Sequence, residues 1–290
     1  MVDYGAIGDL VILWIVAFVP ALVYLSWIRS TERYSTEAWS PLLWSFAYGA
    51  IFATIVAAIV EAVLVALGTA VSQAVPAPEF VFLNGNSSLG ALFLVLVIAP
   101  LVEEALKASG VARNRDKIRN LADGPVFGAS TGLGFGFFET FLYGLSLFLV
   151  SGLAPAIGLV LLRSISAVLL HGSSTGMFGY GYARSKFGVS GPGSGAYYLL
   201  AVGMHASYNF LASGGVVAKL FGFPQYATDA SIVGLILAIF FAFGAIEHVR
   251  SLIRYNDYPA LQQGKRPYTP PPGPRRSPSS SPTGRAGPPN

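Results

Sequence analysis

The sequence contains no cysteine and little charge. Only 11% of its 290 residues are Asp, Glu, Lys or Arg, whereas 53% are hydrophobic. A soluble domain carries about 25% charged residues, so this composition excludes an ordinary soluble enzyme, a disordered chain and a nucleic-acid-binding protein. Without cysteine there are no disulfides and no thiolate ligands, and any bound metal must use His, Asp or Glu.

Long apolar stretches account for the composition. Each reaches the ~20 residues that a helix needs to cross a bilayer. They predict an all-α, polytopic transmembrane helical bundle, a multi-pass protein of the cell membrane in direct contact with the lipid bilayer. We expect seven spans, at residues 7–28, 42–68, 89–112, 124–150, 154–183, 194–213 and 229–253.

Basic residues occur in alternate loops. Loops 1, 3 and 5 and the C-terminal segment carry most of them, including Arg29, Arg33, Arg113, Arg115, Lys117, Arg119, Arg184, Lys186, Arg250 and Arg254. Because Lys and Arg accumulate on the cytoplasmic side, we expect the N-terminus outside and the C-terminus in the cytoplasm.

The chain divides into two parts. Residues 1–257 form the predicted transmembrane domain, whose motif-bearing core is 89–213. Pro, Ser, Gly and Arg dominate residues 258–290, and such a segment has too few apolar residues to build a core. We predict a disordered cytoplasmic tail there.

Ionisable residues lie inside four consecutive spans. Each costs about 2.5–3.5 kcal/mol near the bilayer centre, so such residues are few and usually functional. At 1.5 Å per residue they fall within one or two helical turns of one depth. They are Glu103, Glu104 and Lys107 in span 3, Glu139 in span 4, His171 in span 5 and His205 in span 6.

These residue types are typical of a hydrolytic zinc site. Two His and one carboxylate hold the ion, a separate Glu acts as general base, and water takes the open position. Glu139, His171 and His205 are the predicted ligands of Zn²⁺, and Glu103 or Glu104 is the predicted base.

A mechanism without metal is equally open at this point. A Glu then activates water directly, with a His polarising it and an amide stabilising the oxyanion. His205 and Asn209 are spaced i,i+4 and share one helix face, so Asn209 is the predicted oxyanion donor.

The remaining intramembrane charges and glycines have structural interpretations. Lys107, four residues after Glu103, is either a counter-ion or a catalyst. Glu61 and Arg163 are expected to form a structural ion pair. Span 4 repeats glycine every four residues, a face that lets helices approach closely: Gly128, Gly132 and Gly136.

The same residues form motifs. Glu103-Glu104-Ala105-Leu106-Lys107 reads EExxK, Phe135 to Glu139 reads FxxxE, and His205 to Asn209 reads HxxxN, with His171 between them. Their order over residues 89–213 resembles the PrsW intramembrane proteases, relatives of the CAAX prenyl proteases and the bacteriocin-processing enzymes.

The resemblance implies a metallopeptidase that hydrolyses a peptide bond within the membrane by Glu-activated water. Its substrate would be a membrane-anchored protein similar to an anti-sigma factor. The CAAX relatives have His where Glu139 stands, and a carboxylate there suits a cation better. The residues it implies as essential are Glu103, Glu104, Glu139, His171 and His205, with Asn209 assisting.

Two other classes of function fit a membrane bundle. Glu and His residues near the membrane midplane also form proton relays in secondary transporters, although no inverted repeat in the sequence supports a transporter. A seven-helix retinal pigment would need a buried Lys in its last span, and span 7 has none.

Overall fold

The structure, a computed structural model, describes residues 4–75 and 78–257. Within them every regular element is helical, as the all-α prediction requires. The predicted tail, 258–290, lies outside the described residues. The α-helices are α1 (Tyr4–Arg29), α2 (Trp39–Ala47), α3 (Thr54–Ala74), α4 (Ser88–Phe93), α5 (Ala99–Ala112), α6 (Asp123–Ser151), α7 (Leu153–Ser164), α8 (Ala167–Lys186), α9 (Ser194–Ala212), α10 (Gly214–Leu220) and α11 (Ala227–Asn256).

Six helical stretches of the described chain are long and apolar enough to cross a membrane. They are Gly5–Arg29, Trp39–Ala74, Ser88–Ala112, Asp123–Ser151, Leu153–Lys186 and Pro224–Asn256. The multi-pass prediction is confirmed, and its count of seven is approximately right. The predicted span outside this set is the sixth, 194–213, which corresponds to α9, a 19-residue helix whose Gly, Ser, His and Asn residues reduce its apolar character. The orientation of the termini stays a prediction.

Helix α6 lies at the centre of the bundle, against α8 on one side and against α1 and α2 on the other. Its glycine face makes this possible. A Cβ at Gly128 would lie 2.3 Å from the carbonyl oxygen of Thr175, and one at Gly132 would lie 2.0 Å from that of His171. The predicted close approach of span 4 is therefore confirmed, and its partner is α8.

Two π-helical turns interrupt the long helices of the described chain, and such turns are frequent at functional sites. The first, Tyr48–Ala53, joins α2 to α3 and places Gly49 against the backbone of Thr131 in α6. The second, Leu94–Ile98, joins α4 to α5. We call this second turn the π segment.

The fifth predicted span is broken rather than continuous. Helix α7 ends at Ser164 and α8 begins at Ala167. Ser166, within the break, accepts a hydrogen bond from the Tyr208 hydroxyl at 2.9 Å. The break lies between Arg163 and His171 and sets the direction from which each side chain approaches the centre of the bundle.

Candidate active site

Helix α5 supplies two glutamates and a lysine, all buried. Lys107 has no exposed side-chain surface, and its Nζ lies 2.8 Å from Glu104 Oε1 and 3.5 Å from Glu103 Oε2. The ammonium also lies 4.4 Å above the ring of Phe135. Since a buried carboxylate is stable only with a partner, Lys107 is the counter-ion of both glutamates.

The two adjacent glutamates have different surroundings. Glu104 accepts hydrogen bonds from Ser174 Oγ at 3.0 Å and from Thr175 Oγ1 at 3.4 Å, besides that from Lys107. Glu103 instead lines the central cavity. The divergence expected for neighbouring helix positions is thus present: Glu103 faces the site, and Glu104 connects α5 to α8.

His171 lies between Lys107 and Glu139. Its Nδ1 is 2.9 Å from Lys107 Nζ, and its Nε2 is 2.8 Å from Glu139 Oε2. An ammonium can only donate, so Nδ1 accepts. Nε2 therefore carries the proton and donates to the carboxylate. The backbone of His171 touches Gly132 of α6, so the glycine face positions this ring.

Arg163 holds Glu139 in place. Its Nη2 donates to Glu139 Oε2 at 2.7 Å, and its guanidinium lies 4.0 Å from the ring of Tyr143. The expected Glu61–Arg163 ion pair is therefore wrong, because the arginine on α7 reaches the carboxylate of α6 instead. Glu61 lines the same cavity, and its Oε1 is buried without a hydrogen-bond partner in the described structure.

His205 of α9 completes the group. Its Nδ1 lies 3.1 Å from Glu104 Oε1. A carboxylate accepts, so Nδ1 donates and Nε2 is the acceptor nitrogen. The two imidazole rings meet edge to face at 4.9 Å. One ligand atom from each of Glu103, His171 and His205 lies within 4.8 Å of the others, close enough for one metal ion.

These three side chains are of the types that bind a catalytic zinc ion, because two imidazoles and one carboxylate are a common set of protein ligands for zinc. The carboxylate in the closest group is Glu103, whereas the sequence predicted Glu139. Glu139 is adjacent through its hydrogen bond to His171. Its role as a ligand stays a prediction.

A cavity of about 210 Å³ lies over the group. Its carboxyl, guanidinium and imidazole side chains are those of Glu61, Glu103, Glu139, Arg163, His171 and His205. Asn209 also lines it, and its Nδ2 donates to the carbonyl oxygen of Val95 in the π segment at 2.7 Å. The structure thus brings all six predicted site residues to one place, five of them on the cavity wall and Glu104 directly behind it.

Several residues that bind the site's charged side chains were not predicted from the sequence. Ser174 and Thr175 bind Glu104, and their spacing of three and four from His171 was a signal that they share its helix face. Nothing in the sequence indicated that Arg163 would pair with Glu139, because that contact depends on the break between α7 and α8.

The comparisons with known proteins agree with this geometry. A family model described as PrsW family intramembrane metalloprotease matches residues 37–245, well over half of the chain. The matched range contains every residue of the site. No curated protein and no solved structure matches the chain.

Proposed function

Because the chain belongs to the PrsW family of intramembrane metalloproteases, and is therefore a peptidase of the membrane, we propose that it cleaves a membrane-anchored protein at the cavity beside Glu103. The observation that carries this proposal is the group formed by Glu103, His171 and His205, whose ligand atoms lie within 4.8 Å of one another among buried residues. An anti-sigma-factor-like protein is the substrate type that the family resemblance supports.

Glu103 is the residue we assign to water activation. Its Oε2 has one long hydrogen bond, 3.5 Å from Lys107, whereas Glu104 is occupied by Lys107, Ser174 and His205. A general base needs an oxygen within reach of the attacking water, and Glu103 faces the cavity where that water would lie. Glu104 positions His205 and Lys107.

His171 and His205 are the residues we assign to the metal, with Zn²⁺ as the ion. Glu139 is the third ligand if Glu103 is the base, and Glu103 takes that place only if it is not the base. A bound zinc ion would polarise the scissile carbonyl and make the attacking water more acidic. Lys107 lies 2.9 Å from His171 Nδ1, so its ammonium must move if that nitrogen is to ligate.

Asn209 is the oxyanion donor in this proposal. One of its two amide hydrogens goes to Val95, and an amide has a second to donate. Asn209 lines the cavity together with Glu103 and His205, on the side where a substrate carbonyl would lie opposite the base.

The experiment is cleavage of a single-span reporter by purified protein, with metal content measured by elemental analysis. Replacing Glu103 with Gln should lower cleavage about 100-fold or more, the size of a general-base contribution. If Glu139 is the third ligand, E139Q loses metal and E103Q retains it. If Glu103 is the ligand, the metal contents are reversed.

The half-exposed residue Glu247 supplies the control for expression and folding, Glu247→Gln, since within the described residues it pairs only with Arg250 and Arg254. Full activity of E103Q would remove the proposed base. Activity that resists chelators, in protein containing no metal, would establish the mechanism without metal.

A further inference from the structure

A second concavity lies on the flank of the bundle, between the π segment and α9. It has a volume of about 420 Å³, and its walls are mainly apolar: Leu96, Ala206, Ser207, Phe210 and Leu211. We call it the lateral groove. Phe210 is 50% exposed at its edge. The groove therefore opens along the side of the helices, where the hydrocarbon of the bilayer would lie.

The lateral groove and the active-site cavity share a wall. On the π segment, Val95 lines the cavity and the next residue, Leu96, lines the groove. On α9, His205 and Asn209 line the cavity, whereas their neighbours Ala206 and Phe210 line the groove. The two spaces are therefore lined by consecutive residues of the same two elements.

One hydrogen bond closes this wall beside the catalytic group. Asn209 Nδ2 of α9 donates to the carbonyl oxygen of Val95 at 2.7 Å. Val95 lies in a π-helical turn, where the regular α-helical bonding pattern is interrupted. A single hydrogen bond between neutral groups contributes only modestly to stability, so this contact can hold the wall closed and still open. A second bond, from Tyr198 to the Leu101 carbonyl at 2.9 Å, joins α9 to α5 further along.

The chemistry of the substrate decides what this groove accepts. An apolar segment that leaves the bilayer exposes its CH₂ groups to water, which is unfavourable, so entry from the aqueous ends of the bundle is disfavoured. A helical segment also hides its peptide bonds, and backbone groups freed by unwinding must find partners out of the lipid. Polar groups of that kind lie just behind the groove, in the cavity.

We propose that the lateral groove admits the membrane-spanning segment of the substrate from the bilayer and that the Asn209–Val95 hydrogen bond is the latch that closes it. This inference rests on the proposed function. The substrate segment lies against Leu96 and Phe210, and its unwound part passes between Asn209 and Val95 to reach Glu103.

The test uses the absence of cysteine, since any introduced thiol is unique. In the E103Q background, Phe210→Cys or Leu96→Cys is mixed with a single-span reporter that carries one cysteine in the middle of its span, and disulfide formation is measured. Val11→Cys is the matched control: Val11 is 52% exposed on α1, which packs on α6 and α7. We expect roughly tenfold more cross-linking at Phe210→Cys and Leu96→Cys than at Val11→Cys, a preference equivalent to about 1.4 kcal/mol.

A second measurement keeps the two proposals distinguishable. In the otherwise wild-type chain, a bulky lipid-soluble maleimide on Phe210→Cys should lower cleavage of the reporter about tenfold, and the same label on Val11→Cys should leave it unchanged. Equal cross-linking at all three positions, or unchanged cleavage after labelling Phe210→Cys, overturns the groove while the wild-type chain still cleaves. If the wild-type chain does not cleave the reporter, the proposed function fails, and the groove inference fails with it.

Discussion

At the scale of single residues, the site is a chain of ion pairs and hydrogen bonds in which each partner positions the next. Arg163 binds Glu139, Glu139 accepts from His171, and His171 accepts from Lys107. Lys107 then binds Glu104, which accepts from His205. Since a buried charge is costly without a partner, removal of one link should affect stability as well as chemistry.

Replacing Arg163 with Gln should lower the free energy of unfolding by about 3 kcal/mol, the low end for breaking a buried pair. The low end applies because both side chains are 18% exposed. Unfolding in detergent measures the change. The double variant Arg163→Met, Glu139→Leu removes both charges and should be more stable than R163Q. An R163Q variant as stable as wild type would mean that the pair contributes nothing.

Glu32 is a buried acid outside the spans, in the loop between α1 and α2. Burial is the main reason that its pKa is raised to about 8, and the nearby Asp123, Glu37 and Asp257 carboxylates raise it further. A folded-state pKa above the ordinary value of 4.5 means that the native protein holds more protons than the unfolded chain between these pH values. Stability should therefore fall as pH rises from about 4.5 to 8.

The variant Glu32→Gln tests this dependence, because its amide oxygen can still accept from the Glu37 backbone, as Oε2 does at 2.8 Å in wild type. We expect E32Q to gain in melting temperature relative to wild type as pH rises from 5.5 to 8.5, measured by thermal unfolding in detergent. A constant difference across that range would show that Glu32 does not titrate there.

At the scale of helices, the contact between α6 and α8 places His171. Gly128, Gly132 and Gly136 bring the two backbones together, and a Cβ at Gly132 would lie 2.0 Å from the His171 carbonyl oxygen. Because backbone cannot yield as a flexible side chain does, the helices must separate to accept any larger residue. His171 would then move away from Lys107 and Glu139.

Replacing Gly132 with Ala should reduce cleavage strongly and destabilise the protein by about 1–3 kcal/mol, the usual cost of overpacking. Gly158→Ala is the matched control: Gly158 lies within α7, and nothing surrounds its added Cβ within 4 Å. That change should stabilise by about 0.5–1 kcal/mol. Reporter cleavage and thermal unfolding of both variants give the comparison, and a normal G132A enzyme would contradict the contact.

At the scale of the whole molecule, one carboxylate joins the C-terminal end of the described chain to the loop after α1. Asp257, the residue after α11, accepts hydrogen bonds from the backbone N–H groups of Arg33, Tyr34 and Ser35. The Ser35 hydroxyl adds another at 3.0 Å. The last helix is thereby joined to the loop that follows the first, and the bundle is closed before the predicted tail begins.

Truncation after Leu261 should therefore leave both folding and reporter cleavage unchanged, because it keeps Asp257. Replacing Asp257 with Ala should cost about 1 kcal/mol, the low end of the range, since the donors that it leaves unpaired are only partly buried. Thermal unfolding of the two proteins in detergent compares them. Loss of activity in the truncated but folded protein would show that the tail contributes to the site, against our prediction.

The sequence by itself determined the class of fold and most of the site. Apolar stretches near 20 residues require spanning helices, since lipid leaves no other way to satisfy the backbone. The cost of a buried charge makes Glu103, Glu104, Glu139, His171 and His205 informative wherever they occur. Because every helix rises by the same distance per residue, the sequence positions of these five residues place them at one depth. The structure confirms that they lie together.

Only the tertiary structure decided which side chains pair. Depth along a helix can be counted in the sequence, but rotation about the axis and the position of a break cannot. The break between α7 and α8 brings Arg163 to Glu139 rather than to Glu61. The contact of α5 with α8 commits Glu104 to Ser174 and leaves Glu103 facing the cavity. Such choices depend on contacts between residues far apart in sequence, where small differences in packing decide between partners of similar chemistry.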